Sequence, residues 1–159
     1  MNIDRLINHL KYDKIFEQCT ENGKINWKLV SEIENLPFEF IDKYFLQLKK
    51  FKIENKQKLN EFLMIKYFSH INWFLLASFQ EIPENVIEKF IKKFDKRILI
   101  SIIKYQKLSL NFLMNNINIF NESCYLKALE QNYYIDKSIK DAVKKQLLCN
   151  WFYDCFFML

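Results

Sequence analysis

The side chains that could do chemistry in this chain are few, and their spacing argues against a metal site. The four cysteines are Cys19, Cys124, Cys149 and Cys155, and no two of them form a C-x-x-C pair. The two histidines, His9 and His70, lie far from each other and from every cysteine along the sequence. Zinc sites need thiolate and imidazole ligands at tight spacing. The sequence therefore predicts no metal ligands.

The same residues make a poor set for nucleophilic catalysis. His70 directly precedes an Ile71-Asn72-Trp73 motif and is interpreted as a helix C-terminal residue favoured by the helix dipole. Cys149 and Cys155 lie in an apolar, aromatic segment, which is typical of buried, inert thiols. A single glycine cannot build a phosphate-cradling loop. We therefore predict no enzyme, no catalytic residues, no cofactor and no small-molecule substrate.

A cationic segment is the best candidate for a binding surface. It consists of Lys89, Lys92, Lys93, Lys96 and Arg97. A second group comprises Lys49, Lys50, Lys52, Lys56 and Lys58. Lysine suits phosphate backbones, whereas specific base readout usually uses arginine, and the chain has only Arg5 and Arg97. These cations are either a solvated helix face or a contact surface, and the sequence leaves both open.

The elements that must position these residues form tandem repeats. The layout from Ile25-Asn26-Trp27 to Tyr44 returns 46 residues later, from Ile71-Asn72-Trp73 to Phe90, without a gap. Weaker copies lie between and after these two, including one centred on Gln106-Lys107-Leu108-Ser109. The spacing predicts about five units of 23 to 26 residues. Such units bury their apolar faces only by stacking on their neighbours.

Each unit is predicted to contain two short helices. The second helix begins at a slot filled by Pro37, Asn60, Pro83 or Ser109, because proline suits the first turn and asparagine and serine cap helix starts. Asn26 and Asn72 are candidate caps for first helices. Asn22-Gly23 is interpreted as a helix C-terminus, with Gly23 as the C-cap. No strands are predicted. The recurring tryptophans Trp27 and Trp73 are assigned to the core rather than to base stacking.

The repeat pattern resembles a known type of sequence. It reads W-x-x-(I/L)-(S/A), a glutamine a few residues on, then L-(P/S)-x-x-(F/V)-I. Its residues are Trp27, Val30, Ser31, Leu36, Pro37, Phe40 and Ile41, and then Trp73, Leu76, Ala77, Gln80, Ile82, Pro83, Val86 and Ile87. Over roughly residues 24–120 it resembles short helical repeats of large DNA viruses and phages. The pattern departs at Lys50 and Leu99, where tryptophan is expected. The resemblance implies no known activity.

Length and composition predict one all-α domain, residues 1–159, with an α-solenoid-like fold. We expect an N-terminal capping helix over 1–22, repeats over 24–145 and an apolar C-terminal helix over 146–159. That last helix either docks on the core or serves as an exposed tail for self-association. It is too short to span a membrane. Many Phe, Tyr, Ile, Asn and Lys residues, with one Gly and two Pro, indicate an AT-rich genome such as that of a large DNA virus, a phage or a low-GC bacterium.

These observations predict a non-catalytic protein-interaction or structural component, of a virus or phage. The expected partner is another protein or a second copy of this chain. The alternative is sequence-independent binding of nucleic acid through the lysine-rich face. The first residues do not resemble a signal peptide, so we expect an intracellular protein, in the host cytoplasm or the virion, rather than a secreted one.

Overall fold

The computed structural model describes residues 12–120 and 122–157, with side chains described as far as residue 149. Most of these residues are helical, which confirms the all-α prediction. The helices are α1 (12–18), α2 (Trp27–Glu32), α3 (Phe38–Leu48), α4 (Glu61–Lys66), α5 (Trp73–Phe79), α6 (Glu84–Phe90), α7 (Lys96–Tyr105), α8 (Leu110–Asn115), α9 (Ser123–Gln131) and α10 (Lys137–Phe157). Short 3-10 turns cover Lys49–Phe51, Ile53–Asn55, Phe68–His70, Ile91–Lys93 and Ile117–Ile119.

A small hairpin stands where no strand was predicted. Strands β1 (Thr20–Glu21) and β2 (Lys24–Ile25) pair antiparallel, with Thr20 opposite Ile25. Asn22 and Gly23 form the two-residue loop and have φ values of 50° and 71°. A type I′ turn needs positive φ at both residues, which explains the Asn-Gly pair. The interpretation of Gly23 as a helix C-cap is therefore wrong.

The predicted helix starts are where the sequence placed them. Pro37 and Pro83 stand immediately before α3 and α6. The side chain of Asn60 accepts a hydrogen bond from the Leu63 amide at 2.9 Å, and Ser109 accepts one from the Phe112 amide at 3.1 Å. Asn26 likewise accepts from the amides that open α2. Asn72 directly precedes α5.

The predicted helix pair fails in one unit. Over residues 48–70 the first helix is replaced by two 3-10 turns joined at Lys52, which has a left-handed φ of 56°. A left-handed residue cannot lie inside a right-handed helix. The side chain of Ile53 is fully buried directly after this break. The segment therefore keeps its core contact while losing the helix.

The chain divides into two compact units, residues 1–72 and 73–159. The first has its own core, which includes Phe40, Ile41, Phe45, Leu48 and Leu63. The core of the second includes Leu76, Ile87, Ile102, Ile103 and Phe112. The division falls just before Trp73, at a repeat boundary read from the sequence.

The predicted end segments, residues 1–22 and 146–159, lie only partly among the described residues. Residues 1–11 of the predicted N-terminal cap lie outside the described residues, as do 158–159. At the other end, α10 runs without interruption from Lys137 to Phe157. The boundary predicted between 145 and 146 therefore lies inside one continuous helix.

The repeated tryptophans make matching ring contacts, each inside its own unit. The Trp27 ring lies 5.2 Å from that of Tyr44, and the Trp73 ring lies 6.1 Å from that of Phe90. These two pairs are 46 residues apart at both members. Trp73 is buried and Trp27 half-buried. Both rings are packed against aromatic neighbours, as the assignment to the core requires.

Candidate functional site

A buried glutamine holds the turn between the two helices of a repeat. In residues 1–72 this is Gln57, whose Oε1 accepts from the Leu36 amide at 3.1 Å. Its Nε2 donates to the carbonyl of Ile33 at 2.6 Å and to that of Ser31 at 3.3 Å. These backbone groups lie in the last turn of α2 and in the segment that follows it, where helix carbonyls lack intrahelical donors. One side chain from the next repeat therefore closes the preceding turn.

The same device occurs twice in residues 73–159. Gln106 accepts from the Ile82 amide at 2.7 Å and donates to the carbonyls of Ala77 and Gln80 at 2.6 and 2.8 Å.

Exactly one repeat of 26 residues later, Asn132 donates to the carbonyls of Ile103 and Gln106, again at 2.6 and 2.8 Å. Gln106 and Asn132 are almost completely buried. Together they tie the C-terminal ends of α5 and α7 to the segment that follows α9.

A groove opens at these tied ends. It has a volume of about 400 Å³, within the range of ligand pockets. Three aromatic side chains line it, and each is well exposed: Phe79 at 62%, Tyr105 at 40% and Tyr134 at 64%. Phe79 and Tyr105 each stand one position before the glutamine of their repeat. The groove thus combines a rigid floor with open aromatic walls, and we call it the aromatic groove.

Polar groups complete the lining of the aromatic groove. Glu81 and Lys107 contribute one carboxylate and one ammonium, and Ser78 contributes a hydroxyl. The ammonium of Lys104 lies 5.1 Å from the centroid of the Tyr105 ring, where the π-face attracts it. The lining includes neither cysteine nor histidine. This arrangement suits stacking and charge pairing with a bound molecule.

The cationic segment predicted from sequence is exposed at every member. Lys89 lies in the last turn of α6, Lys92 and Lys93 lie in the following 3-10 turn, and Lys96 and Arg97 open α7. Lys89 and Lys93 both lie over the Phe90 ring, at 5.9 and 5.6 Å.

One member of the cationic segment is paired with an acid. Lys96 forms an ion pair with Glu122, and this hydrogen bond raises the pKa of Lys96. Glu88, which directly precedes Lys89, and Asp95, the cap of α7, add negative charge beside the cations. The segment is therefore less positive than its lysines alone indicate.

A polar cluster in residues 1–72 is structural. Asp42 accepts from the Lys66 ammonium at 2.7 Å and from the Tyr67 hydroxyl at 2.9 Å. The hydrogen bond from Lys66 lowers the pKa of Asp42, and burial raises the pKa of Tyr67. The Tyr67 ring also stacks on Phe45 at 4.0 Å. These contacts join α3 to the C-terminal end of α4.

The histidine and cysteine side chains considered for nucleophilic chemistry do not share one site among the described residues. His70 is exposed at the end of the 3-10 turn after α4, with Nδ1 3.4 Å from the Lys49 ammonium. Cys19 is buried, and burial raises the pKa of its thiol. Cys149 is exposed, which corrects the prediction that it is a buried packing thiol. The side chain of Cys155 lies outside the described residues.

Neither a metal-binding cluster nor a membrane-spanning helix occurs among the described residues. Within this part of the chain, no group of three His, Cys, Asp or Glu side chains could hold a metal ion. No helix there is long and apolar enough to cross a membrane.

Large apolar side chains are also exposed in residues 12–72. Phe38 opens α3 at 52% exposure, and Phe62 lies in the first turn of α4 at 55%. Phe38 lies one residue and Phe62 two residues after the slot at which the second helix of a repeat begins, and Leu110 holds the place of Phe38 at the start of α8. We call Phe38 and Phe62 the helix-start pair.

Sequence reasoning found the cationic segment and missed both the aromatic groove and the helix-start pair. Comparison with known proteins supplies no template for these surfaces, since no family model, no curated protein and no solved structure matches this chain.

Proposed function

We propose that this chain is a non-catalytic protein-interaction or structural component, of a virus or phage, built as an α-solenoid-like array of helical repeats. Its first partner would be a further copy of itself. The proposal places it inside the host cell or in the virion. The AT-rich composition supports the source, and the repeated turn contacts of Gln57, Gln106 and Asn132 support the array.

The observation that carries the proposal is the exposure of the helix-start pair. Phe38 and Phe62 leave more than half of their area in water, although residues 12–72 hold a well-packed core. Exposed aromatic side chains near the starts of two helices are the kind of anchor that protein interfaces bury. A repeat array offers such anchors along an extended surface.

The test is the assembly state of a double variant. We expect Phe38→Ser with Phe62→Ser to dissociate assemblies of the chain, because both apolar anchors are lost while the core is untouched. Phe74→Ser is the matched control, since Phe74 is a similarly exposed phenylalanine on α5. Sedimentation velocity of the three proteins measures the effect. An unchanged assembly state in the double variant would contradict this choice of surface.

A second candidate function is sequence-independent binding of nucleic acid through the cationic segment. The exposure of Lys89, Lys92, Lys93, Lys96 and Arg97 favours it. The acids among them argue for the protein-interaction proposal instead. The two differ in salt response, because phosphate binding releases counterions and weakens steeply as salt rises.

A further inference from the structure

We propose that the aromatic groove binds single-stranded nucleic acid, with bases stacked on Phe79, Tyr105 and Tyr134 and the phosphate backbone running past Lys104 and Lys107. This inference goes beyond protein interaction and does not depend on it. The groove lies wholly within residues 73–159.

The three aromatic rings of the groove are open to solvent. Phe79, Tyr105 and Tyr134 stand in the same groove with 40% to 64% of their area open to water. Base stacking on such faces is tolerant of sequence, because every base has a π-face. A duplex hides its base faces inside the stack, so the arrangement selects single strands. Three aromatic side chains in one groove suit a ligand with several flat groups.

Hydrogen bonds fix the backbone that carries the three rings. Gln106 is hydrogen-bonded to Ile82, Ala77 and Gln80, and Asn132 is bonded to Ile103 and Gln106. Asn132 also accepts from the Tyr134 amide at 2.7 Å. The backbone that carries the rings is therefore fixed before binding. Preorganisation of this kind reduces the ordering cost of association.

Positively charged lysine side chains lie beside the rings of the groove. Lys104 lies against the Tyr105 ring, and Lys107 lines the groove two residues beyond that ring. Lysine is a point charge that suits phosphate oxygens without fixing sequence. Exposed aromatics interleaved with lysines are the pattern used by proteins that bind single strands. Glu81 is the acidic group of the lining. Its carboxylate repels phosphate, so its removal should favour binding.

The experiment measures binding of a labelled oligothymidylate of roughly 16 nucleotides to the full chain by fluorescence anisotropy. We expect Phe79→Ala and Tyr134→Ala each to weaken binding about tenfold, because each removes one stacking face. Tyr105→Phe should keep the wild-type affinity, since the ring remains.

Tyr133→Ala is the matched control for the stacking variants. Tyr133 is adjacent to Tyr134 and 95% exposed, but it does not line the groove. We expect this variant to bind as the wild type does. Circular dichroism of each variant establishes that the fold is kept.

The charged residues give an independent, signed readout. Lys107→Gln should weaken binding and reduce the dependence of log affinity on log salt by about one charge, whereas Glu81→Gln should tighten binding. Failure of the oligothymidylate to bind at low salt would overturn the proposal. So would binding that the ring variants leave unchanged but that is lost in a Lys89→Gln, Lys92→Gln, Lys93→Gln variant. Neither result bears on the self-association test.

Discussion

At the residue scale, three buried amide side chains hydrogen-bond to the backbone of the preceding repeat. Gln57, Gln106 and Asn132 each satisfy backbone groups left open at the end of a preceding helix. Buried backbone groups without partners are costly. Glutamine was visible in the sequence as part of the repeat, but its role was not, because a hydrogen bond to a residue more than twenty positions away depends on the fold.

Removing one of these amides should therefore destabilise the fold. We expect Gln106→Leu to lower the free energy of unfolding by about 3 kcal/mol, because the Ile82 amide and the Ala77 and Gln80 carbonyls lose their buried partner. Urea denaturation measures the change. Gln131→Leu, at an exposed position on α9, is the control and should change stability by less than about 0.5 kcal/mol. Equal stability of the two variants would show that the amide contacts are dispensable.

Asp42 should give the chain a defined response to acid. Its pKa is lowered by the hydrogen bond from Lys66, so its stabilising contribution is complete above the unfolded-state pKa of about 3.9. The contribution is lost as the pH falls through that value towards the lower folded-state pKa. We expect Asp42→Asn to flatten the acid limb of a plot of unfolding free energy against pH.

The control for this prediction is Glu88→Gln, which removes an exposed carboxylate of α6. It should alter the acid limb less than Asp42→Asn does, because Glu88 is exposed and takes no part in the contact between Asp42 and Lys66. An Asp42→Asn curve that runs parallel to the wild type would mean that the contact with Lys66 does not persist in solution.

At the scale of elements, local sequence signals predicted helix starts well. Asn60 and Ser109 cap α4 and α8 with their side chains, and Pro37 and Pro83 precede α3 and α6, because each residue type has one favourable place at a helix N-terminus. The missing first helix near Lys52 was not predicted. The left-handed backbone there is adopted by a lysine rather than a glycine, so the sequence carried no signal for the break.

The hairpin was missed for a different reason. Strands β1 and β2 are two residues long and exposed, so they show no alternation of apolar and polar residues. Only the Asn22-Gly23 loop carried the signal, and flanking helices favoured a helix C-cap at the same place. The turn chemistry was the better guide.

Substitutions at the two loop residues, Asn22 and Gly23, should affect stability differently. Gly23→Ala should cost about 1 kcal/mol, because φ is 71° and a side chain disfavours that region. Apart from the two adjacent residues, no part of the described chain lies within 4 Å of the new Cβ, so the cost is that of the backbone alone. Asn22→Gly should be close to neutral, since glycine adopts its φ of 50° freely. Thermal or urea unfolding of both variants checks this, and equal effects would argue against the turn.

At the scale of the whole molecule, composition and periodicity predicted the predominantly helical content. They did not predict which side chains stay exposed. Phe79 and Phe90 are equally apolar in sequence, yet one lines a groove and the other is buried against Trp73. That difference arises from packing between helices that are distant in the chain, and the aromatic groove could be identified only there.

The most direct test of the proposed function is sedimentation velocity of the purified chain at low and high salt, with absorbance recorded at both protein and nucleic-acid wavelengths. The account predicts an assembly that persists at high salt, because apolar anchors such as Phe38 and Phe62 hold it together. Nucleic acid bound at low salt should leave this assembly intact when it dissociates. A chain that is monomeric at both salts, or that assembles only while nucleic acid is bound, would contradict the proposal that protein contact is its function.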